Sequence, residues 1–276
     1  MVSGSEAEIA RGERFKFGEN WRQFLELLSD ERIHEAERSL TTMLGMARLD
    51  NRSFLDIGSG SGVFSLAARN LGADVTSFDY DSASVACTRS LKERFHPDDG
   101  RWRIMEGSVL DSAFMGTLPH FDIVYSWGVL HHTGDLDLAL RNAAAKVKPG
   151  GLFFVALYRK TWLCPLWRIE KRLYSSSGPR VQAAIRSVYW TVLGAAILVV
   201  RGTRIRRSGE LGPRGMDAER DMHDWLGGYP YESITPVDVK RYAAELGFEL
   251  RRQVIKSEGI HWVPGCDEFI LQRHSD

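Results

Sequence analysis

The feature that most constrains this chain is Phe54-Leu55-Asp56-Ile57-Gly58-Ser59-Gly60-Ser61-Gly62, a short apolar run that breaks into alternating glycines. The run reads as a buried strand. Glycines after it can take positive φ and bring backbone into contact with a ligand. Val63 to Leu71 then reads as a helix opening over the turn. Strand, glycine turn and helix form a ligand cradle and point to an α/β architecture.

Two classes of ligand fit such a cradle. A dinucleotide site reads G-x-G-x-x-G and sets a pyrophosphate on the helix N-terminus. The spacing here is G-x-G-x-G, and Asp56 stands two residues before the turn. A carboxylate there repels a pyrophosphate but suits an ammonium or sulfonium, which favours S-adenosylmethionine over NAD. Asp74-Val75-Thr76-Ser77-Phe78-Asp79 reads as the next strand, and its final carboxylate can accept both hydroxyls of a ribose.

Hydrophobic patterning predicts strands at 53–57, 74–79, 101–106, 121–126 and 151–157, with helices at 62–71, 82–94 and 136–146. This alternation implies a doubly wound, Rossmann-like parallel sheet whose ligands sit at the carboxyl ends of the strands. The candidate cofactor contacts are therefore Asp56, Gly58, Ser59, Gly60 and Gly62 at the first strand, and Asp79 and Tyr80 at the second. Ser108 and Val109 follow the third strand, and Ser126 and Trp127 the fourth.

In residues 50–157 the chain resembles the class I S-adenosylmethionine-dependent methyltransferases. The resemblance rests on Leu55 to Gly62, Asp79, Gly128-Val129-Leu130-His131-His132 and Lys148-Pro149-Gly150-Gly151, in that order. It implies S-adenosylmethionine as cofactor, methyl transfer as activity and a seven-stranded methyltransferase sheet. An antiparallel hairpin, here Phe248 to Ile255 and Cys266 to Arg273, would complete that sheet. Thr235-Pro236 opens the last helix with an N-cap and a first-turn proline, and Gly247 closes it. The resemblance also implies N-terminal helices across the cofactor mouth. Residues 19–46 read as helix with a break at Ser29-Asp30-Glu31, where Ser29 or Asp30 can cap the second half. Phe17 and Trp21 are then candidate substrate-side lid residues, with a core stripe as the alternative.

At 276 residues, with 43% hydrophobic and 26% charged content, the chain can form one sizeable domain with an added lobe. The expected division is a helical lid at 1–50, a core at 51–158 and 231–276, and an inserted substrate cap at 159–230. Glu6, Glu8, Arg11 and Glu13 interrupt the N-terminus, so no secretory signal is expected and the protein is placed in the cytoplasm. Cys87, Cys164 and Cys266 are scattered, the histidines form no ligand-spaced cluster, and no metal is expected.

The formal net charge of zero hides an asymmetry: from Arg159 to Arg207 there are eleven Lys or Arg against one acid, Glu170. Within this stretch Val188 to Val200 is mostly apolar. Thirteen residues reach about 20 Å as a helix, short of the ~30 Å hydrocarbon core. The insertion can be a buried cap, a homo-oligomer contact or a peripheral contact at the inner membrane surface. No nucleic-acid-binding module is recognisable.

Asp221 to Tyr231 resembles a run in bacterial methyltransferases near glycan and lipid biosynthesis, including relatives of polyprenyl-phenol O-methyltransferases. It makes His223, Asp224, Tyr229 and Tyr231 candidate substrate contacts. Methyl transfer is an in-line displacement that depends on alignment. A hydroxyl acceptor must also lose a proton, and His131 and His132 after the fourth strand are the candidate bases. The expected acceptor is a hydroxyl of a lipid-like, phenolic or glycan small molecule. An N- or C-methyltransferase of secondary metabolism and a non-catalytic cofactor-binding scaffold are the alternatives.

Overall fold

A computed structural model describes residues 4–201, 213–255 and 265–275. Three helices come first: α1 (Gly4–Ala10), α2 (Phe17–Glu26) and α3 (Asp30–Leu44). Strands and helices then alternate as β1 (Ser53–Ile57), α4 (Val63–Asn70), β2 (Asp74–Asp79), α5 (Ser82–Phe95), β3 (Trp102–Glu106), α6 (Ser112–Thr117), β4 (Phe121–Trp127), α7 (Leu136–Ala144) and β5 (Val147–Tyr158). The inserted helices α8 (Cys164–Ser176), α9 (Pro179–Arg201) and α10 (Ala218–Gly227) lead to α11 (Pro236–Glu245), β6 (Phe248–Val254) and β7 (Cys266–Arg273).

The seven strands form one sheet in the order β3-β2-β1-β4-β5-β7-β6. The first five strands pair in parallel, and β7 runs antiparallel between β5 and β6. The sheet is covered on both faces, so its central strands are almost continuously buried. Side chains still alternate: Phe54, Tyr125 and Phe154 enter one core cluster, while Leu55, Ile57, Val124, Phe153 and Val155 enter the other. Strand order reverses between β1 and β4, and that switch point places a crevice at their carboxyl ends.

Local chemistry sets the helix boundaries. Thr235 Oγ1 accepts the Asp238 N–H at 3.1 Å and caps α11. Ser29 occupies the N-cap position of α3 in extended conformation but makes no side-chain cap bond. Three features depart from the sequence reading. α1 and α6 had no strong periodicity to announce them, being seven and six residues long. β5 starts at Val147 and takes Lys148-Pro149-Gly150-Gly151 into the strand. Its pairing with β4 jumps from Phe121↔Val147 to Ile123↔Leu152, and Gly150 at φ 71° absorbs the irregularity. Finally, α9 has 23 residues because Pro179 opens it well before the apolar run. No helix among the described residues is both long and apolar enough to cross a membrane. Arg204, Arg206 and Arg207 lie outside the described residues.

The insertion is tied back onto the sheet and the N-terminal helices. Arg159 forms a two-pronged ion pair with Asp267 of β7, at 2.7 and 2.9 Å. Asn20 of α2 donates to the Arg220 carbonyl at 3.1 Å and to Asp224 at 2.8 Å. Lys171 of α8 is fully buried, donates to the Trp225 carbonyl and sits 4.1 Å from the centre of the Trp225 ring.

Candidate active site

A cavity of about 940 Å³ opens at the carboxyl ends of β1, β2 and β4. Gly58, Gly60 and Gly62 all have positive φ, at 77°, 55° and 83°. Each also sits against a neighbour that a side chain would strike. A Cβ at Gly58 would lie 2.4 Å from Val129 Cγ1, and one at Gly60 would lie 2.9 Å from Trp21 Nε1. Gly62 backs onto Thr88 of α5 and lies behind the cavity wall, whereas Gly58, Ser59 and Gly60 line it.

Two acids define the polar end. Asp79 accepts the backbone N–H groups of Gly60 and Asp81, each at 2.9 Å, so it also shapes the glycine turn. Asp56 accepts the Ser65 hydroxyl at 2.5 Å; Ser65 meets Ser77 at 2.6 Å, and Ser77 accepts from the Trp102 indole at 2.9 Å. This chain holds Asp56 in one orientation. Burial raises Asp56 to a pKa of about 7, against the Ser65 bond that lowers it. Burial likewise raises Asp79 to about 6, although its two backbone bonds favour the ionised form. Tyr80, Ser108, Val109 and Trp127 also line the cavity. Ser126 does not: it is buried, and its hydroxyl bonds the Ile57 carbonyl at 3.2 Å between β4 and β1.

The two adjacent histidines part company. His132 lines the cavity, and its Nδ1 lies 2.7 Å from the Pro230 carbonyl. A carbonyl can only accept, so Nδ1 carries the proton and Nε2 is the basic nitrogen of the neutral ring. Burial pushes its pKa down to about 3. His131 is fully buried behind the wall, where Nδ1 accepts the Tyr158 N–H at 3.3 Å, and burial holds its pKa well below the usual histidine value. The lone pair of His131 Nδ1 is thus directed to backbone.

Phe17 and Trp21 of α2 line the cavity, with the Phe17 ring 5.5 Å from His132. Asp224 reaches it from α10, with its pKa raised well above the carboxylate range by burial. His223 instead meets the Tyr174 hydroxyl at 2.5 Å, with Arg186 at 3.2 Å, and burial lowers its pKa to about 4. The Tyr231 hydroxyl lies 3.3 Å from Cys164 Sγ, and the Tyr229 carbonyl accepts the Phe15 N–H at 3.2 Å; neither tyrosine lines the cavity. Residues outside the expected site set also join the wall. Arg14 donates to the His132 carbonyl at 3.0 Å, and Arg214 lies over Trp127. Tyr158, Tyr189, Trp190, Met222 and Trp225 make the other end aromatic and apolar.

The residues present fit S-adenosylmethionine. The turn has room for backbone approach because three side chains are missing, one acid can accept a diol, and a second can face a cation. A family model described as a methyltransferase domain matches residues 28–253. The ubiquinone biosynthesis O-methyltransferase of Methylobacterium nodulans is 34% identical over 114 residues, which are 41% of this chain and 43% of that protein. The same-named protein of Brucella melitensis biotype 2 is 31% identical over 113 residues, 41% and 44% of the two chains. The match thus spans less than half the length of these relatives. Among solved structures, magnesium protoporphyrin IX methyltransferase of Synechocystis PCC 6803 with bound S-adenosylhomocysteine covers 99% of this chain and 89% of its own. Its TM-score is 0.51 at 14% identity, which speaks for the fold. A Methanosarcina mazei methyltransferase gives a TM-score of 0.52 at 16% identity, covering 85% and 98%. With the family model spanning most of its length and the sheet order, glycine turn and paired acids in place, this chain belongs to the class I S-adenosylmethionine-dependent methyltransferases.

Proposed function

We propose that the protein transfers a methyl group to a hydroxyl oxygen of a small, largely apolar phenolic molecule, with His132 taking the proton. The observation that carries this reading is the commitment of His132 Nδ1 to Pro230, which leaves Nε2, packed beside Gly228, as the basic nitrogen of a ring that lines the cavity. Bound at the glycine turn, S-adenosylmethionine supplies an electrophilic methyl carbon. The chain's own task is alignment. Asp79 and Asp56 anchor the polar end, while Trp127, Tyr158 and Trp225 give the wall aromatic, apolar surface that suits an aromatic acceptor.

The pKa of His132 bears on the acceptor. A ring held at about 3 is neutral at pH 7 and ready to accept a proton, but it is a weak base. Efficient transfer then asks for a hydroxyl that is already somewhat acidic, which favours a phenol over a sugar or alkyl alcohol. The names of the relatives attach O-methylation to those proteins, which supports the choice of oxygen here. In this reading residues 1–50 act as a lid and 159–230 as a substrate cap. The exposed apolar face of α8 and α9 brings the protein to an anionic membrane surface where a lipid-like acceptor would reside.

Turnover of catechol-type acceptors tests the base. His132→Ala is expected to lower kcat about 10²-fold or more and leave S-adenosylhomocysteine affinity within about twofold. A loss below about threefold would falsify the base role and turn attention to an amine or carbon acceptor, which needs less help with its proton.

A further inference from the structure

Among the described residues the cavity wall holds two cations, Arg14 and Arg214. Arg14 is engaged by Glu8, whose carboxylate is 2.7 Å away. Arg214 forms no ion pair among the described residues. Its guanidinium carbon instead lies 3.1 Å from the centre of the Trp127 ring and 5.7 Å from that of Phe64. Tyr125 lines the same cavity, and its hydroxyl is buried with no hydrogen-bond partner of ordinary geometry among the described residues. Burial raises the Tyr125 pKa well above the usual phenol value while the Arg214 charge opposes that rise, so the two groups feel each other.

The position of Arg214 is built. It sits at φ 60° in the short 3-10 turn Pro213–Gly215, a conformation that non-glycine residues uncommonly adopt. The turn is held by α3. Arg32, 3% exposed, donates to the Gly215 carbonyl at 2.8 Å, and a Cβ at Gly215 would lie 2.4 Å from the Arg32 carbonyl oxygen. Asp217, two residues beyond Gly215, caps α10 through the Glu219 and Arg220 N–H groups and lies 3.9 Å from Arg32.

We infer that Arg214 is the carboxylate-binding residue of this cavity, with the Tyr125 hydroxyl as a second donor. A guanidinium fork stacked on an indole matches a carboxylate in two prongs. The inference rests on the cofactor assignment above and extends it to a residue of the insertion. Two sources can supply the carboxylate: the amino-acid end of the cofactor, or an acidic acceptor. In the sheet order, β2 and β4 flank β1, so Asp79 and Trp127 stand on opposite sides of the glycine turn, roughly 10 Å apart at ~4.8 Å per strand. Asp56 lies between them. That sequence of charges, acid, acid, then arginine, complements a ligand with hydroxyls at one end and a zwitterion at the other.

Calorimetry on the full chain separates the sources. S-adenosylhomocysteine carries the carboxylate, and 5′-methylthioadenosine is the same adenosine thioether without the amino acid. Arg214→Gln is expected to weaken the first about tenfold or more and leave the second within about twofold. If adenosine ligands are unchanged but 3,4-dihydroxybenzoate loses about tenfold while catechol does not, the carboxylate belongs to the acceptor. Equal losses for both members of each pair, or no loss anywhere, overturn the inference. Arg214→Lys retains a charge and should fall between parent and Gln variant, which separates recognition from misfolding. A parent protein that binds neither adenosine ligand would sink the cofactor assignment and leave Arg214 to be judged on the benzoate pair.

Discussion

Asp56 and Asp79 are acids that burial disfavours as anions, raising them to about 7 and about 6. A ligand bearing an ammonium, or hydroxyls that donate, favours the ionised forms and so lowers both pKa values in the complex. Linkage then fixes the sign. Affinity for S-adenosylhomocysteine should be full above about pH 8 and fall as pH drops toward about 5, by up to tenfold per pH unit for each proton taken up. Calorimetry in two buffers of different ionisation enthalpy reads the proton count directly, and a flat affinity across this range would mean both acids stay charged in the free protein. Substitution separates their roles from that of the turn. Asp79→Ala should cost about 1–3 kcal/mol of binding, the worth of hydrogen bonds to a charged group. Gly60→Val should abolish binding, since valine opposes φ 55° and its Cβ would meet Trp21 Nε1 at 2.9 Å. If both variants bind like the parent, the ligand sits elsewhere.

The helices of the insertion have two unlike faces. On α8, Leu166, Ile169 and Leu173 stand at helical spacing and are 57%, 59% and 60% exposed; on α9, Val188 and Val192 are 62% and 61% exposed. Exposed Arg168, Arg172 and Arg180 border them, and nearby Trp162 is 80% exposed. The opposite side of α9 carries Tyr189 and Trp190 to the cavity wall, so one helix joins the outer face to the site. An apolar stripe edged by arginines complements an anionic lipid surface, where each basic residue contributes on the order of 1 kcal/mol. The protein should float with anionic vesicles at low salt, float less at high salt as screening shortens the reach of charge, and ignore neutral vesicles. Absence of flotation with anionic vesicles at low salt would leave a second copy of the chain as the occupant of this face, which sedimentation would detect.

Across the whole molecule, what could be read in advance was whatever depends on neighbours close in the chain. Strand β1, its glycine turn and α4 are one continuous piece, and Asp79 ends the next strand, so backbone sterics and a period of two place them without knowledge of anything distant. Thr235 before Pro236 announces α11 in the same way, because capping is satisfied within one turn. The hairpin was legible through family resemblance, which periodicity alone could not supply. Which of His131 and His132 faces the cavity was beyond such reading. Adjacent residues share composition and spacing, and it is Pro230 and Tyr158, brought in from far along the chain, that send one ring to the cavity and the other to backbone. Arg214 is the extreme case: nothing near it in sequence marks it, and its place depends on Arg32, 183 residues away at the Gly215 bond. Local sterics and hydrogen bonds act over a few residues and leave a pattern in the sequence, whereas burial and charge pairing depend on which segments meet after the chain has closed on itself.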